Sequence, residues 1–377
     1  MMAHEWERNA KRGSLTTVTD VEEATVPATA AATVLVRTEN SLGRITLNRP
    51  RAINALDLEM IERITAALTV WIDDSDVQTV LIDGAGDRGL CAGGDVRALY
   101  DQITAGEPGR TADFFRAEYA MNALIAEYPK PVVVFADGIT MGGGIGLAGH
   151  AAVRIVTERS RLAMPETRIG FTPDVGGTWL LGRAPGRLGE YFGLTGQSMS
   201  GADAVYLGFA DHFVPSENLD ALREALAYRA DPGTPNELTL LFDETPEPSE
   251  LSAARAWIDE AFSADTVGEI AQRLRESDAP EAASALATLE ELAPTGLAVT
   301  LDAVREAREM SGVREALESE YRRVMWFAHH HPDLVEGIRA QLVDKDRNPK
   351  WRPATIAELP EDAGRAAREF VPEVPLF

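Results

Sequence analysis

Along the chain the period of apolar and polar positions changes several times, and each change predicts an element. Val34-Leu35-Val36 is a short apolar run, and Arg44-Ile45-Thr46-Leu47 alternates. The turn residues Asn40-Ser41-Leu42-Gly43 between them predict a β-hairpin. Leu58, Ile61, Ile64, Leu68 and Trp71 then recur at helical spacing behind Asp57, an acceptor suited to capping a helix. The runs Thr79–Ile82, Val132–Ala136 and Val153–Thr157 read as buried strands. A glycine-rich turn opens a short helix over Ile145–His150. This alternation predicts an α/β fold.

Composition sets the boundaries. Residues 1–32 are polar and aperiodic, the expectation for a flexible N-terminal extension. The ordered core is expected over 33–231. A stretch rich in Pro, Glu and Thr, 232–249, reads as a linker. Residues 250–377 read as a helical C-terminal region with an irregular tail around Asn348–Pro353.

With 377 residues and 45% hydrophobic content, the chain can bury a sizeable core. Its formal net charge of -24 argues against nucleic acid or anionic membrane as a main partner, since both need positive surface. There is no run of eighteen apolar residues, so no membrane span is expected. Glu5, Glu7, Asp20, Glu22 and Glu23 argue against a transit peptide, and the cytoplasm is the expected compartment. The lone Cys91 permits no intrachain disulfide and reads as a small buried residue rather than a nucleophile. His329-His330-His331 point in different directions on a helix and precede Pro332. They are expected to end a helix rather than bind metal.

Three clusters can carry chemistry. In Cys91-Ala92-Gly93-Gly94-Asp95, paired glycines let backbone N–H groups approach a ligand. Gly138 to Gly146 follows a strand and opens a helix, so free N–H groups sit at the positive end of its dipole. One donor from each would form an oxyanion hole. The third cluster, Met164 to Gly177, holds Glu166 and Asp174 eight residues apart in a turning segment. Such carboxyls can serve as base or nucleophile and as an orienting group. Each cluster alone reads more readily as ordinary turn chemistry.

Taken in order, Ile45-Thr46-Leu47-Asn48-Arg49-Pro50, Asn54-Ala55-Leu56, Cys91 to Asp95, Gly138 to Gly146 and Pro165-Glu166 resemble the crotonase (enoyl-CoA hydratase/isomerase) superfamily. The resemblance implies a spiral of ββα units with appended helices, and an oxyanion hole at Gly94 and Gly143. Hydratases carry a second Glu where this chain has Gly146. Gly138-Ile139-Thr140-Met141-Gly142-Gly143-Gly144, Pro173-Asp174-Val175-Gly176-Gly177 and the distal Glu336-Gly337-Ile338-Arg339 and Pro349-Lys350-Trp351 are similar to the 3-hydroxyisobutyryl-CoA hydrolase branch.

That branch implies hydrolysis of a 3-hydroxyacyl-CoA in valine catabolism, Glu166 and Asp174 as catalytic residues and Asp101 as an acyl contact. It implies no metal or cofactor beyond the CoA of the substrate. Arg51 is a candidate for the CoA phosphates. The rival readings are a hydratase or isomerase and a non-catalytic acyl-CoA-binding protein; homo-oligomerisation stays open.

Overall fold

The computed structural model describes residues 32–228, 234–360 and 362–377. Residues 1–31, where the flexible extension was expected, lie outside them.

The hairpin forms as β1 (Val34–Glu39) and β2 (Leu42–Leu47), antiparallel, with Asn40 in a left-handed turn at φ 53°. Helix α1 (Leu58–Ile72) follows. The Asp57 carboxylate accepts from Met60 N, and Met60, Ile61, Ile64, Leu68 and Trp71 are buried. Then come β3 (Thr79–Gly84), α2 (Arg97–Thr104), α3 (Thr111–Ala126), β4 (Val132–Phe135), β5 (Ile139–Met141), α4 (Gly143–Ala148), β6 (Val153–Val156) and β7 (Arg161–Ala163). Helix α4 begins two residues before the expected start, because Gly142 turns the chain with a left-handed φ of 49°. After it follow α5 (Gly177–Arg183), α6 (Leu188–Thr195), β8 (Met199–Ser200), α7 (Gly201–Leu207), β9 (His212–Phe213) and α8 (Leu219–Tyr228).

Six strands make one sheet in the order β1-β2-β3-β4-β6-β9, parallel apart from the β1–β2 hairpin. Strands β5, β7 and β8 make a second sheet. Side chains alternate across the large sheet. Val132 and Val134 enter the main core, while Val133 and Phe135 enter a smaller core under Leu222 and Leu226 of α8. Burial on both faces explains why these strands read as unbroken apolar runs.

The remaining helices are α9 (Pro235–Thr239), α10 (Leu251–Phe262), α11 (Val267–Glu276), α12 (Pro280–Glu291), α13 (Pro294–Ala307), α14 (Val313–His330), α15 (Asp333–Ile338) and α16 (Ala363–Arg368). The stretch read as a linker is, from residue 234 on, packed rather than free. Pro235 and Thr239 of α9 are buried, Leu238 and Phe242 cover the smaller core, and the Asp243 carboxylate accepts from Phe213 N at 2.9 Å. Its Pro, Glu and Thr content masked these few anchoring positions. Thr33–Phe377 accordingly forms one compact unit. Helices α13 and α14 pack on α5 and α3, so the C-terminal helices reach the centre of the molecule. Among the described residues, no helix is long and apolar enough to cross a membrane.

Losing the cap of α1 through Asp57→Ala is expected to destabilise the fold by about 1 kcal/mol. Denaturant melts of the two proteins measure the difference.

Candidate active site

Two glycine-bearing backbone segments meet at the site. Gly89 bridges Gly138, Cys91 bridges Thr140 and Leu56 bridges Gly94. Side chains would prevent this approach. A Cβ on Gly89 would lie 2.3 Å from Ile139 N, and one on Gly138 2.7 Å from Arg88 O. Buried Asn54 holds the neighbouring turn: its Nδ2 donates to Ala85 O and Gly89 O, and its Oδ1 accepts from Arg49 N.

The contact brings two amides together. Neither Gly94 N–H nor Gly143 N–H donates to a backbone acceptor among the described residues. A Cβ on Gly143 would be 3.4 Å from Gly94 N, so the two donors lie side by side.

Four acidic residues line a cavity of about 530 Å³ with these amides: Asp95, which pairs with Arg49, and the buried Glu118, Glu166 and Asp174. Glu166 opens the single 3₁₀ turn Glu166–Ile169 after β7, and its Oε1 is 2.9 Å from the position of a Cβ on Gly142. Glu118 comes from α3, with Oε1 2.6 Å from the position of a Cβ on Gly143. Asp174 comes from the loop before α5, and its Oδ2 accepts from Tyr119 OH at 2.8 Å. Phe114, Phe115, Phe171 and Val175 supply apolar wall, and Gln341 and Leu342 reach in from the turn after α15.

Burial, and then the negative charge of Asp174, raises the Glu118 and Glu166 carboxyls well above the ordinary range. Burial pushes Asp174 up to about 7, against the Tyr119 hydrogen bond that favours its charged form. Asp174 is thereby poised to exchange a proton near neutral pH.

The Asp174 loop is strained. Val175 has φ 52°, which costs a β-branched residue on the order of 1–3 kcal/mol. Glu320 of α14 fastens the loop, accepting from Gly176 N at 2.7 Å, Thr178 N at 2.9 Å and Thr178 Oγ1. His150 Nε2 donates to Val175 O at 2.8 Å, burial having lowered its pKa to about 4 so that the ring is neutral.

The profile of the enoyl-CoA hydratase/isomerase family matches residues 42–367. The chain belongs to this family. A Danio rerio protein named 3-hydroxyisobutyryl-CoA hydrolase, mitochondrial, is 41% identical to it, the match covering 88% of each chain. A Xenopus laevis protein of the same name is 42% identical, covering 85% of this chain and 84% of its own. The crystal structure of a carnitinyl-CoA dehydratase from Mycobacterium thermoresistibile is 45% identical, with a TM-score of 0.85, and covers 92% of this chain and 98% of that one. The expected crotonase fold, an α/β spiral with an appended helical C-terminal region, is the fold of this chain.

Against this crotonase frame, the structure brings Gly94, Gly143, Glu166 and Asp174 to one cavity. Asp101 does not join them. It is exposed on α2, while Leu99 is the buried residue of that helix. Two helical steps rotate Asp101 about 200° from Leu99, toward solvent.

Glu118 stands in the site instead, and the sequence reading passed over it. Its signal was a glutamate on the core stripe of a helix, in step with Phe115, Tyr119 and Asn122. Gly146 is closed to any side chain, since a Cβ there would lie 2.7 Å from Asn122 Nδ2 and 2.8 Å from Val175 Cβ. Cys91 is buried, its pKa pushed up to about 12, so its thiol stays protonated. Arg51 is exposed beside Ala52, which lines the cavity mouth.

Because folding raises the Asp174 pKa from 3.8 to about 7, the folded state holds a proton that the unfolded chain releases. This group's contribution therefore becomes less favourable as pH rises between about 4 and 7. Asp174→Asn keeps an acceptor for Tyr119 and removes the titration. Its melting temperature is expected to gain on wild type from pH 5 to pH 8, as followed by thermal melts at both pH values.

Proposed function

We propose that this chain hydrolyses 3-hydroxyacyl-CoA thioesters, with 3-hydroxyisobutyryl-CoA as its preferred substrate. The observation that carries the reading is the Glu166 carboxyl lying against the Gly142–Gly143 step beside two unpaired amides. The hydrolase names of the Danio rerio and Xenopus laevis relatives support the same substrate.

In this mechanism the thioester oxygen accepts from Gly94 N–H and Gly143 N–H, which stabilise the charge formed at the tetrahedral stage. A donor of this type is typically worth about 2.7–4 kcal/mol. Glu166 removes a proton from the attacking water, or attacks the carbonyl itself to form an anhydride that water then opens. The C–S bond breaks and CoA leaves as a thiol. Asp174 holds the 3-hydroxyl, and Glu118 takes the acyl-contacting place first given to Asp101. Burial that raises the Glu166 carboxyl also makes it a stronger base once ionised. The chemistry draws on no metal or cofactor beyond the CoA of the substrate. A cytoplasmic setting and a place in valine catabolism belong to the same proposal.

One observation favours a second reading, hydration of an enoyl-CoA. Glu118 gives the cavity a second carboxyl beside Glu166, and the Mycobacterium thermoresistibile relative is named a dehydratase. Against it, Gly146 has no space for the glutamate of the hydratase pattern.

The two readings separate in one assay. Free thiol is expected from 3-hydroxyisobutyryl-CoA, while the enoyl absorbance of crotonyl-CoA persists. Fast loss of that absorbance without thiol release would reverse the assignment. Glu166→Gln is expected to lower kcat by at least about 10²–10⁴-fold with CoA binding retained, measured by thiol release and titration calorimetry. Asp174→Ala is expected to reduce the preference for 3-hydroxyisobutyryl-CoA over isobutyryl-CoA by about tenfold or more, the value of a hydrogen bond to a charged group. Equal losses of kcat/KM on both thioesters would make it a loop residue only.

A further inference from the structure

We propose that Glu320, on α14, is the positioning residue for Asp174, so that a C-terminal helix sets the hydroxyl-binding geometry of the site. The proposal rests on the reading of Asp174 given above.

Asp174, Val175 and Gly176 form one sharp turn. Val175 and Gly176 both occupy the left-handed region, at φ 52° and 76°. The turn aims the Asp174 carboxylate at Tyr119 OH and at the cavity. A valine does not adopt this conformation unaided; its surroundings must impose it. Two groups do so. His150 Nε2 donates to Val175 O from one side. From the other, both carboxylate oxygens of Glu320 are engaged, Oε2 by Gly176 N and Oε1 by Thr178 N and Thr178 Oγ1. The clamp therefore spans the two residues after Val175 and the first turn of α5.

Glu320 does not line the cavity. It is 1% exposed, and Thr178 is equally covered. Burial pushes the Glu320 carboxyl up to about 8, against the Thr178 and Gly176 hydrogen bonds that favour its charged form, and a buried carboxyl engaged by three donors fixes their relative positions more tightly than a solvated one does. Next along α14, Tyr321 packs edge-on against Tyr119, with ring centroids 6.3 Å apart. Consecutive residues of α14 thus hold the loop bearing Asp174 and the tyrosine that donates to it. Sub-ångström shifts of a positioned group are enough to change rates.

The test uses the full chain. Glu320→Gln keeps size but cannot accept from all three donors. kcat and KM are measured on 3-hydroxyisobutyryl-CoA and isobutyryl-CoA, beside Asp174→Asn and the double variant. The expected result is a preference ratio reduced about tenfold in Glu320→Gln, the upper value of an ordinary buried hydrogen bond. The double variant should lose no more of that ratio than Asp174→Asn does, since the two act as one unit. An unchanged ratio, or losses that multiply, overturns the proposal.

Should Glu320→Gln fail to fold, Thr178→Val removes one of the three donors and is expected to reduce the ratio about threefold, a partial loss of the same hydrogen-bonded set; an unchanged ratio again overturns it. The crystal structure of the folded variant gives a readout free of activity. The Tyr119–Asp174 bond is expected to lengthen from 2.8 Å, and its retention overturns the proposal. If wild type releases no CoA from either thioester, the functional reading fails, and the crystal structure still decides the positioning claim.

Discussion

The site depends on two stretches of main chain lying closer together than side chains allow. Gly89 faces Gly138, and any Cβ at either position would overlap the opposite backbone. This contact sets Gly94 N beside Gly143 and leaves both amides facing the cavity rather than each other's carbonyls. Backbone donors cannot be repositioned by rotamer changes, so the fold alone fixes the direction of the hydrogen bonds they offer. Asn54 extends the constraint by tying the preceding turn to Ala85 and Gly89. The strands and helices around this junction keep two loops in register.

Much of this was legible in the chain. The hairpin, α1 with its Asp57 cap and the buried strands follow from period and turn chemistry, which are local. Gly94, Gly143, Glu166 and Asp174 fall inside short motifs and could be picked out as candidates. Glu118 and Glu320 could not be found that way. Each is a buried acid on a helix with no motif around it, and its partner is far away in sequence. Asp101 rests on the resemblance alone, which matches positions along the chain, and helical rotation turns it to solvent. The packed segment around Leu238 and Phe242 was hidden because composition averages over the few residues that anchor it.

Electrostatics is the other half of the arrangement. A chain with a formal charge of -24 gathers three of its acids, Glu118, Glu166 and Asp174, as buried groups around one cavity. Burial and mutual repulsion together keep those groups from all being charged at once. The fold tolerates them because Tyr119 donates to Asp174, and because burial favours the protonated form of Glu118 and Glu166. Arg97 and Arg168 also line the cavity, so an anionic thioester meets positive side chains there in an otherwise strongly acidic protein.

The reach of α14 also bears on how the molecule matures during synthesis. Glu320 lies 144 residues beyond the Gly176 amide that it holds. At the usual pace of translation, about 5–20 residues per second, that segment emerges on the order of ten seconds after the turn it must secure. The sheet and its glycine junction can assemble in the meantime, but the acid-bearing turn has only His150 to hold it. A nascent chain of this protein therefore passes through a stage with its scaffold built and its pocket unset, and it becomes competent only as the last third leaves the ribosome.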